Sequence, residues 1–257
     1  MTESKRPLIL ISNDDGADWP GIRALTRVAR TLGDVVVAAP TQHQSGMSSS
    51  ITIKNPLRTT LVKKVEGFDK FAVAGTPVDC VKISLNALMG GRKPDILLSG
   101  INHGQNIGVS TAYSGTVGVA LEGAVHKIPS VAFSIDDYNP KGSLLYCLPL
   151  VEEIIKKVLE KGLPEGVCLN VNFPKGPVKG IKATKTAMGH WDNEYDHRVD
   201  PAGKDYYWLQ GTYTCDNPDD TTTDFYWLNQ GYATATPVRV DPTDHASIGH
   251  VESIIDF

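Results

Sequence analysis

Cysteine is scarce in this chain, and none of it is arranged to bind a metal. The 257 residues include four cysteines, without a C-x-x-C pair or a spacing typical of a zinc module. We therefore expect reduced thiols and a cytoplasmic protein. Long apolar runs are missing too. The first one stops at Asn13, too early for a signal peptide with a cleavage site, and no run approaches the length that spans a bilayer, so no membrane association is expected.

Excess positive charge is also lacking. Lys and Arg number 25 against 29 Asp and Glu, which leaves a net charge of -4. Proteins that bind duplex nucleic acid need a basic face that displaces counterions from the phosphates. We therefore expect no nucleic-acid duplex as a partner. A small phosphorylated ligand remains compatible with this charge, because one metal ion and a few backbone amides can hold it.

Two catalytic signatures are absent from the sequence. No G-x-G-x-x-G follows the first predicted strand, which argues against a dinucleotide-binding enzyme. No G-x-S-x-G is present, which disfavours a serine hydrolase. Haloacid-type phosphatases carry D-x-D after their first strand, whereas Asp14 and Asp15 are adjacent here, which weakens that interpretation.

The order of the apolar segments predicts an α/β fold. Residues 8–12 form an apolar run typical of a strand buried on both faces, residues 22–32 follow helical spacing, and residues 35–39 form a second buried strand. This β-α-β opening predicts a Rossmann-like, doubly wound and mostly parallel sheet. Further elements are expected as short strands at 51–53, 57–62, 71–73, 96–98, 131–133 and 167–173, and as helices at 76–89 and 144–159.

The amino-acid composition of the chain changes after about residue 175. Aromatic residues cluster there between Gly, Asp and Thr, a pattern that favours hairpins over helices. We therefore predict three parts of the chain: a Rossmann-like catalytic core at 1–174, a β-hairpin appendage for oligomerisation at 175–232, and a return strand with a short helix at 233–257.

The first βα turn carries the most informative residues, Asn13, Asp14, Asp15 and Gly16. In an open parallel sheet, ligands bind at the carboxyl ends of the strands, where this turn lies. Two adjacent carboxylates repel each other unless a cation or hydrogen bonds compensate, and Mg²⁺ or Mn²⁺ suits oxygen ligands. A helix cap beside a solvated Asp explains the same pattern about equally well.

Three later loops add polar groups after apolar strands. Ser45 offers a hydroxyl, and Asn102 offers an amide oxygen. Ser114, Gly115 and Thr116 open a helix, where free N–H groups and hydroxyls make an anion site. Each loop alone is more typical of an ordinary turn or cap. The acidic turn and the loops with Ser45 and Asn102 all follow predicted strands, however, so these three are expected to face one crevice.

Taken together, these segments resemble the SurE family, the stationary-phase survival proteins. The resemblance extends in order over nearly the whole chain, and its main segments are Ile11-Ser12-Asn13-Asp14-Asp15-Gly16, Gln44-Ser45-Gly46, Gly75-Thr76-Pro77-Val78-Asp79, residues 95–104, Tyr113-Ser114-Gly115-Thr116 and Leu169-Asn170-Val171-Asn172-Phe173-Pro174.

The resemblance implies a metal-dependent phosphatase that hydrolyses nucleoside 5′- and 3′-monophosphates, and in some members short polyphosphate. It implies one divalent ion per subunit, Mg²⁺ or Mn²⁺, held by Asp14, Asp15, Ser45 and Asn102. It also implies that the C-terminal part exchanges between subunits, giving a homodimer or a homotetramer. Many members carry a basic residue where Gln44 stands, which puts the substrate range in doubt.

Our hypothesis for the reaction is direct hydrolysis by water. Asp14 and Asp15 are the expected catalytic residues, although Asp14 acting as a covalent nucleophile remains open. The residues expected to orient the phosphate are Asn13, Gly46, Ser114, Gly115 and Thr116. Two alternatives stay open: a short-chain exopolyphosphatase, and a nucleotide-binding protein without catalysis.

Overall fold

The computed structural model describes residues 6–139 and 142–256 of the chain. Within this part, the strands in chain order are β1 (Leu8–Ser12), β2 (Asp34–Pro40), β3 (Thr59–Val65), β4 (Phe68–Val73), β5 (Ile96–His103), β6 (Ser130–Ile135), β7 (Val167–Phe173), β8 (Ile181–Ala183), β9 (Gly189–Asp192), β10 (Tyr195–Val199), β11 (Asp205–Leu209), β12 (Thr212–Cys215) and β13 (Ala233–Arg239).

The helices alternate with these strands in the first part of the chain. They are α1 (Pro20–Leu32), α2 (Pro77–Ile83), α3 (Gly115–Val125), α4 (Leu144–Lys161), α5 (Asp224–Asn229) and α6 (Ile248–Ile255). A π-helical turn at Ser84–Leu88 extends α2, as the predicted helix to residue 89 requires. None of these helices is both long and apolar enough to cross a membrane, over the residues described.

The central sheet has nine strands among the described residues, in the order β3-β4-β2-β1-β5-β6-β7-β13-β8. β1 pairs in parallel with β2 and β5, and β5, β6 and β7 continue the parallel arrangement. β3 is antiparallel to β4, and β13 is antiparallel to β7; β8 pairs in parallel with β13 and therefore runs in the same reversed direction. The predicted doubly wound, mostly parallel α/β fold is confirmed.

Alternate residues of β1 face opposite sides of the sheet, as the apolar run predicts. Ile9 and Ile11 pack with residues of α1 and α4 on one side. Leu8 and Leu10 pack with Val81 of α2 and with residues of α3 on the other side. Because helices cover both faces, the carboxyl edge of the sheet is the part left open for a ligand.

Three predicted strands are corrected near the edge of the sheet. Residues 51–53 are not a strand, because the N–H and the hydroxyl of Thr52 donate to the carboxylate of Asp79 instead of to a neighbouring strand. The next hairpin turns at Gly67, which has a φ of 66°. Consequently β3 begins and ends later than the predicted 57–62, and β4 begins before residue 71.

The C-terminal part contains the predicted hairpins together with one helix. β9 pairs with β12, and β10 pairs with β11 between them in the sequence. Residues 189–215 thus form an antiparallel arm, with β9 and β12 as its base and β10 and β11 as its outer hairpin. The prediction of hairpins alone in 175–232 is wrong at α5, whose first turn is capped by Thr223 accepting from the N–H of Tyr226. β8 joins the central sheet through β13. The division of the chain into three parts stays a prediction.

Candidate active site

The crevice lies where the strand order reverses, at the carboxyl end of β1. β2 flanks β1 on one side and β5 on the other, so the chain leaves β1 in one direction and later returns on the opposite side. Loops that follow the three strands diverge from this point, which leaves a gap between them. The predicted acidic turn follows β1, the loop with Ser45 follows β2, and Asn102 lies among the last residues of β5.

Asn13 closes the acidic turn with its own side chain. Its Nδ2 donates to the carbonyl of Gly16 at 3.1 Å, and its Oδ1 accepts from the N–H of Gly16 at 3.2 Å. Gly16 has a φ of 113°, which favours glycine. Asn13 therefore holds the turn that presents both carboxylates, and its contact with phosphate stays a prediction.

Asp14 meets the start of α3. The hydroxyl of Thr116 donates to its carboxylate, and a Cβ on Gly115 would lie 3.0 Å from the Cβ of Asp14. The pKa of Asp14 is raised from 3.8 to about 6, chiefly by burial; the Thr116 hydrogen bond lowers it and the neighbouring charge of Asp15 raises it. The structure thus brings together two predicted segments that are about one hundred residues apart.

Ser114 caps α3, as predicted. Its Oγ accepts a hydrogen bond from the N–H of Val117 at 3.1 Å. The remaining N–H groups of the first turn have no partner inside the helix, so they are suited to an anion. The roles of Ser114, Gly115 and Thr116 toward phosphate stay predictions, and this geometry favours backbone donors over the Ser114 hydroxyl.

Asp15 is buried with one oxygen left without a hydrogen-bond donor among the described residues. That oxygen, Oδ2, lies 3.5 Å from Nδ1 of His103. The same Nδ1 accepts a hydrogen bond from Nε1 of Trp19 at 2.7 Å and so has no hydrogen to offer. A buried carboxylate oxygen without a donor is costly unless a cation compensates it.

The loop after β2 brings Ser45 toward this carboxylate. Its hydroxyl hydrogen-bonds with Nε2 of His43 at 2.6 Å, and Nδ1 of His43 lies 3.4 Å from Oδ1 of Asp15. The N–H of Gln44 donates to the backbone carbonyl of Asp14 at 2.8 Å, which holds the loop in place. Ser45 is thus linked to Asp15 through an imidazole, while Gly46 is exposed on the same loop.

Asn102 presents its amide oxygen. Its Nδ2 donates to the carbonyl of Gly104 at 2.8 Å, which fixes the orientation of the amide. Asn102 follows a non-proline cis peptide bond between Gly100 and Ile101. Its Oδ1 accepts no hydrogen bond from the described residues, so it remains available as a ligand, as the sequence predicts.

These donors fit a hard divalent cation. The set comprises two buried carboxylates, of which one oxygen lacks a donor among the described residues, a serine hydroxyl linked to Asp15 through the His43 ring, and an oriented amide oxygen near the end of β5. Carboxylate, amide and hydroxyl oxygens are the ligands that Mg²⁺ and Mn²⁺ accept. The described residues contain no group of three or more His, Cys, Asp or Glu around one point, and the predicted set does not need one because only two members are carboxylates.

Sequence reasoning missed two aromatic residues of the site, Trp19 and His43, and noted His103 only as a neighbour of Asn102. The rings of Trp19 and His43 lie 6.0 Å apart between centroids. A weak signal was available, because His43 stands two residues before Ser45 and Trp19 directly precedes the proline that begins α1.

Comparison with known proteins places this geometry in a family. The family model described as survival protein SurE matches residues 9–193. The 5′-nucleotidase SurE of Christiangramia forsetii is 42% identical over 255 residues, and that of Flavobacterium johnsoniae is 43% identical over 248, each match covering at least 95% of both chains. The SurE protein from Aquifex aeolicus has a similar structure, with a TM-score of 0.83 and 36% identity over 97% of this chain and 100% of its own. The chain therefore belongs to the SurE family.

Proposed function

We propose that this chain is a metal-dependent phosphatase that hydrolyses nucleoside 5′- and 3′-monophosphates to nucleoside and phosphate. The observation that carries the proposal is the buried pair Asp14 and Asp15, with an oxygen that lacks a donor among the described residues, beside the open first turn of α3. The names of the relatives, 5′-nucleotidase SurE, support nucleotides as the substrate class.

The residues proposed to hold one Mg²⁺ or Mn²⁺ are Asp14, Asp15, Ser45 and Asn102. When bound, such an ion polarises a phosphoryl oxygen and lowers the pKa of a nearby water. Thr116 fixes the Asp14 carboxylate through its hydroxyl, and Asn13 fixes the turn through Gly16. The free N–H groups of the first turn of α3 orient the phosphate oxygens.

Direct attack by water is favoured over a covalent intermediate on Asp14. One Asp14 oxygen accepts the Thr116 hydroxyl, and the other lies against Gly115, where an added Cβ would be 3.2 Å away. The carboxylate is thus buried and hydrogen-bonded, an arrangement that supports a positioning role for Asp14 over a nucleophilic one. The stereochemical course at the phosphorus of a chiral phosphate ester tests it, since direct attack inverts the configuration and net retention would overturn direct attack.

The decisive experiment is phosphate release from a panel of nucleoside monophosphates and short polyphosphate, each with Mg²⁺, Mn²⁺ or EDTA. We expect metal-dependent release from nucleotides. Asp15→Asn should abolish it while leaving the fold intact, and the exposed Asp219→Asn is the matched control. Faster release from polyphosphate than from any nucleotide would favour the exopolyphosphatase alternative, and nucleotide binding without release would favour the non-catalytic one.

We also propose that the chain forms a homodimer or a homotetramer through the arm at 189–215. An isolated two-stranded hairpin is at best marginally stable in water. The outer strands nevertheless expose large apolar side chains, namely Tyr195, Val199, Tyr206, Tyr207, Trp208 and Leu209. Helix α6 exposes four more, namely Ile248, Val251, Ile254 and Ile255. A second copy of the chain would bury these surfaces.

Sedimentation velocity tests this assembly. We expect a dimer or tetramer at micromolar concentration for the full chain. The double variant Tyr207→Ser and Trp208→Ser should shift the equilibrium toward monomer. A monomeric full chain under these conditions would refute the assembly without affecting the catalytic proposal.

A cytoplasmic site of action is proposed on the state of the thiols. Cys80, Cys147 and Cys168 are buried and free, and Cys215 is partly buried and free. Burial raises the pKa of Cys147 and of Cys168 to about 12, which keeps these thiols protonated and unreactive. Free thiols are typical of a reducing compartment, and cell fractionation with a specific antibody tests the location.

A further inference from the structure

Trp19 is a large aromatic residue that remains exposed beside the buried carboxylates. It lies at the N-terminal cap of α1, four residues after Asp15, and 41% of its surface is accessible. Its neighbour Pro20 occupies the first turn of the helix and restricts the backbone there. An exposed indole at this position places apolar surface at the mouth of a polar crevice.

The indole is held in a fixed orientation. Its Nε1 donates to Nδ1 of His103 at 2.7 Å, and the two ring centroids are 6.2 Å apart in an edge-on arrangement. The side chain of His103 is buried, which makes it a rigid acceptor. The hydrogen bond satisfies the one polar group of the indole, so the remainder of the ring offers only a π-face and apolar edges.

A second ring extends the same surface. His43 comes from the loop after β2, and its ring is tilted by 40° to the indole at 6.0 Å between centroids. Trp19 and His43 thus come from separate loops. His43 lies against Asp15 directly, and Trp19 is linked to Asp15 through His103. Because both rings lie on the side of the crevice that holds the Asp15 carboxylate, they offer a flat surface to a planar group linked to a phosphate held there.

The alternative role for Trp19 is to cover the buried carboxylates and shield them from solvent. Such a side chain would be expected to bury both ring faces over the carboxylates, yet about two-fifths of its surface is open. Stacking of a nucleobase on an aromatic side chain is strong and tolerates any base, because every base has a π-face. The open, anchored ring therefore fits a planar ligand better than it fits a lid.

We propose that Trp19 is the stacking surface for the nucleobase and so a residue that determines specificity for nucleotides over other phosphate monoesters. This inference rests on the proposed nucleotidase function. Purine nucleotides, with the larger π-surface, gain more from the contact than pyrimidine nucleotides do.

The test compares kcat/KM for AMP with kcat/KM for ribose 5-phosphate, which has the same phosphate and sugar but no base. Losses common to both substrates cancel in the ratio. We expect the ratio of AMP to ribose 5-phosphate to fall about tenfold in Trp19→Ala and to stay within about threefold of the native value in Trp19→Phe, which keeps a ring. Tyr146→Ala, at an exposed position on α4, is the control and should leave the ratio unchanged.

The outcomes separate the two proposals. An unchanged ratio in Trp19→Ala, or a native enzyme that does not distinguish the two substrates, would overturn the stacking role of Trp19 while leaving the phosphatase intact. Metal-dependent release of phosphate from neither substrate would overturn the proposed function itself.

Discussion

The carboxylate of Asp224 accepts a hydrogen bond from the N–H of Gly108 at 3.1 Å, across 116 residues of sequence. The other carboxylate oxygen accepts from the N–H groups of Ala187 and Phe225 at 2.9 and 2.8 Å. Asp224 is fully buried at the start of α5. The C-terminal part of the chain thus holds the segment that connects Asn102 to the start of α3.

Replacement of Asp224 is therefore expected to affect both stability and activity. Asp224→Ala leaves buried N–H groups without an acceptor, at about 1–3 kcal/mol for each group, whereas Asp224→Asn keeps one acceptor oxygen and should lose less. Urea unfolding measures the loss, and kcat/KM should fall along with it. The exposed Asp219→Ala is the control, and native stability in Asp224→Ala would contradict the assignment.

Gly115 is expected to tolerate no side chain. A Cβ there would lie 3.0 Å from the Cβ of Asp14 and 3.2 Å from the Cγ of Pro77, so Gly115→Ala must displace the carboxylate. We expect kcat/KM to fall by about tenfold or more, because small displacements of positioning groups are costly in catalysis. Gly249→Ala, with open space around the added Cβ among the described residues, is the matched helical control and should retain full activity.

Binding of the cation should weaken below about pH 6. The pKa of Asp14 is about 6 in the metal-free protein, chiefly because the carboxylate is buried, so binding at lower pH must first remove a proton. Titration calorimetry with Mn²⁺ should show lower affinity at pH 5 than at pH 7.5. An affinity that is equal at both values would argue against Asp14 as a ligand.

In EDTA, Asp14→Asn is expected to be more stable than the native protein at neutral pH. The folded-state pKa of Asp14 is raised from 3.8 to about 6, so its contribution to stability is fully present below the ordinary value and is lost as the pH rises through 6. The loss at pH 7 amounts to as much as about 3 kcal/mol. Unfolding at pH 7 and pH 4 measures the difference, which should vanish at the lower pH. Saturating Mg²⁺ should reverse the order at pH 7.

Local signals account for the parts of the site that the sequence predicts. The helix predicted at 76–89 begins with a capping box formed by Thr76 and Asp79, and α3 begins with the Ser114 cap; both depend on residues three apart. The apolar run of β1 likewise requires helices on both faces. These features depend on short spacings, which a single sequence displays.

The rest depends on contacts between distant residues. Trp19 meets His103 across 84 residues, and no spacing in the sequence announces that pair. Residues 51–53 have the apolar pattern of a strand, but the N–H of Thr52 donates to Asp79, 27 residues away, which the local pattern does not indicate. The aromatic residues around α5 favour a hairpin prediction there. Thr223 followed by Asp224 is the one local helix signal, since Thr is a common N-cap residue and Asp is favoured in the first turn.

The register at the base of the arm makes it a separable module. Thr212 faces Asp192 and Cys215 faces Gly189, so the chain leaves and returns at adjacent points. Residues 193–211 can therefore be replaced by a short turn without rerouting the rest of the chain. Protein engineers could in this way trim the outer hairpin or graft another in its place, and so alter how copies associate while the crevice at Asp14 and Asp15 keeps its own supports.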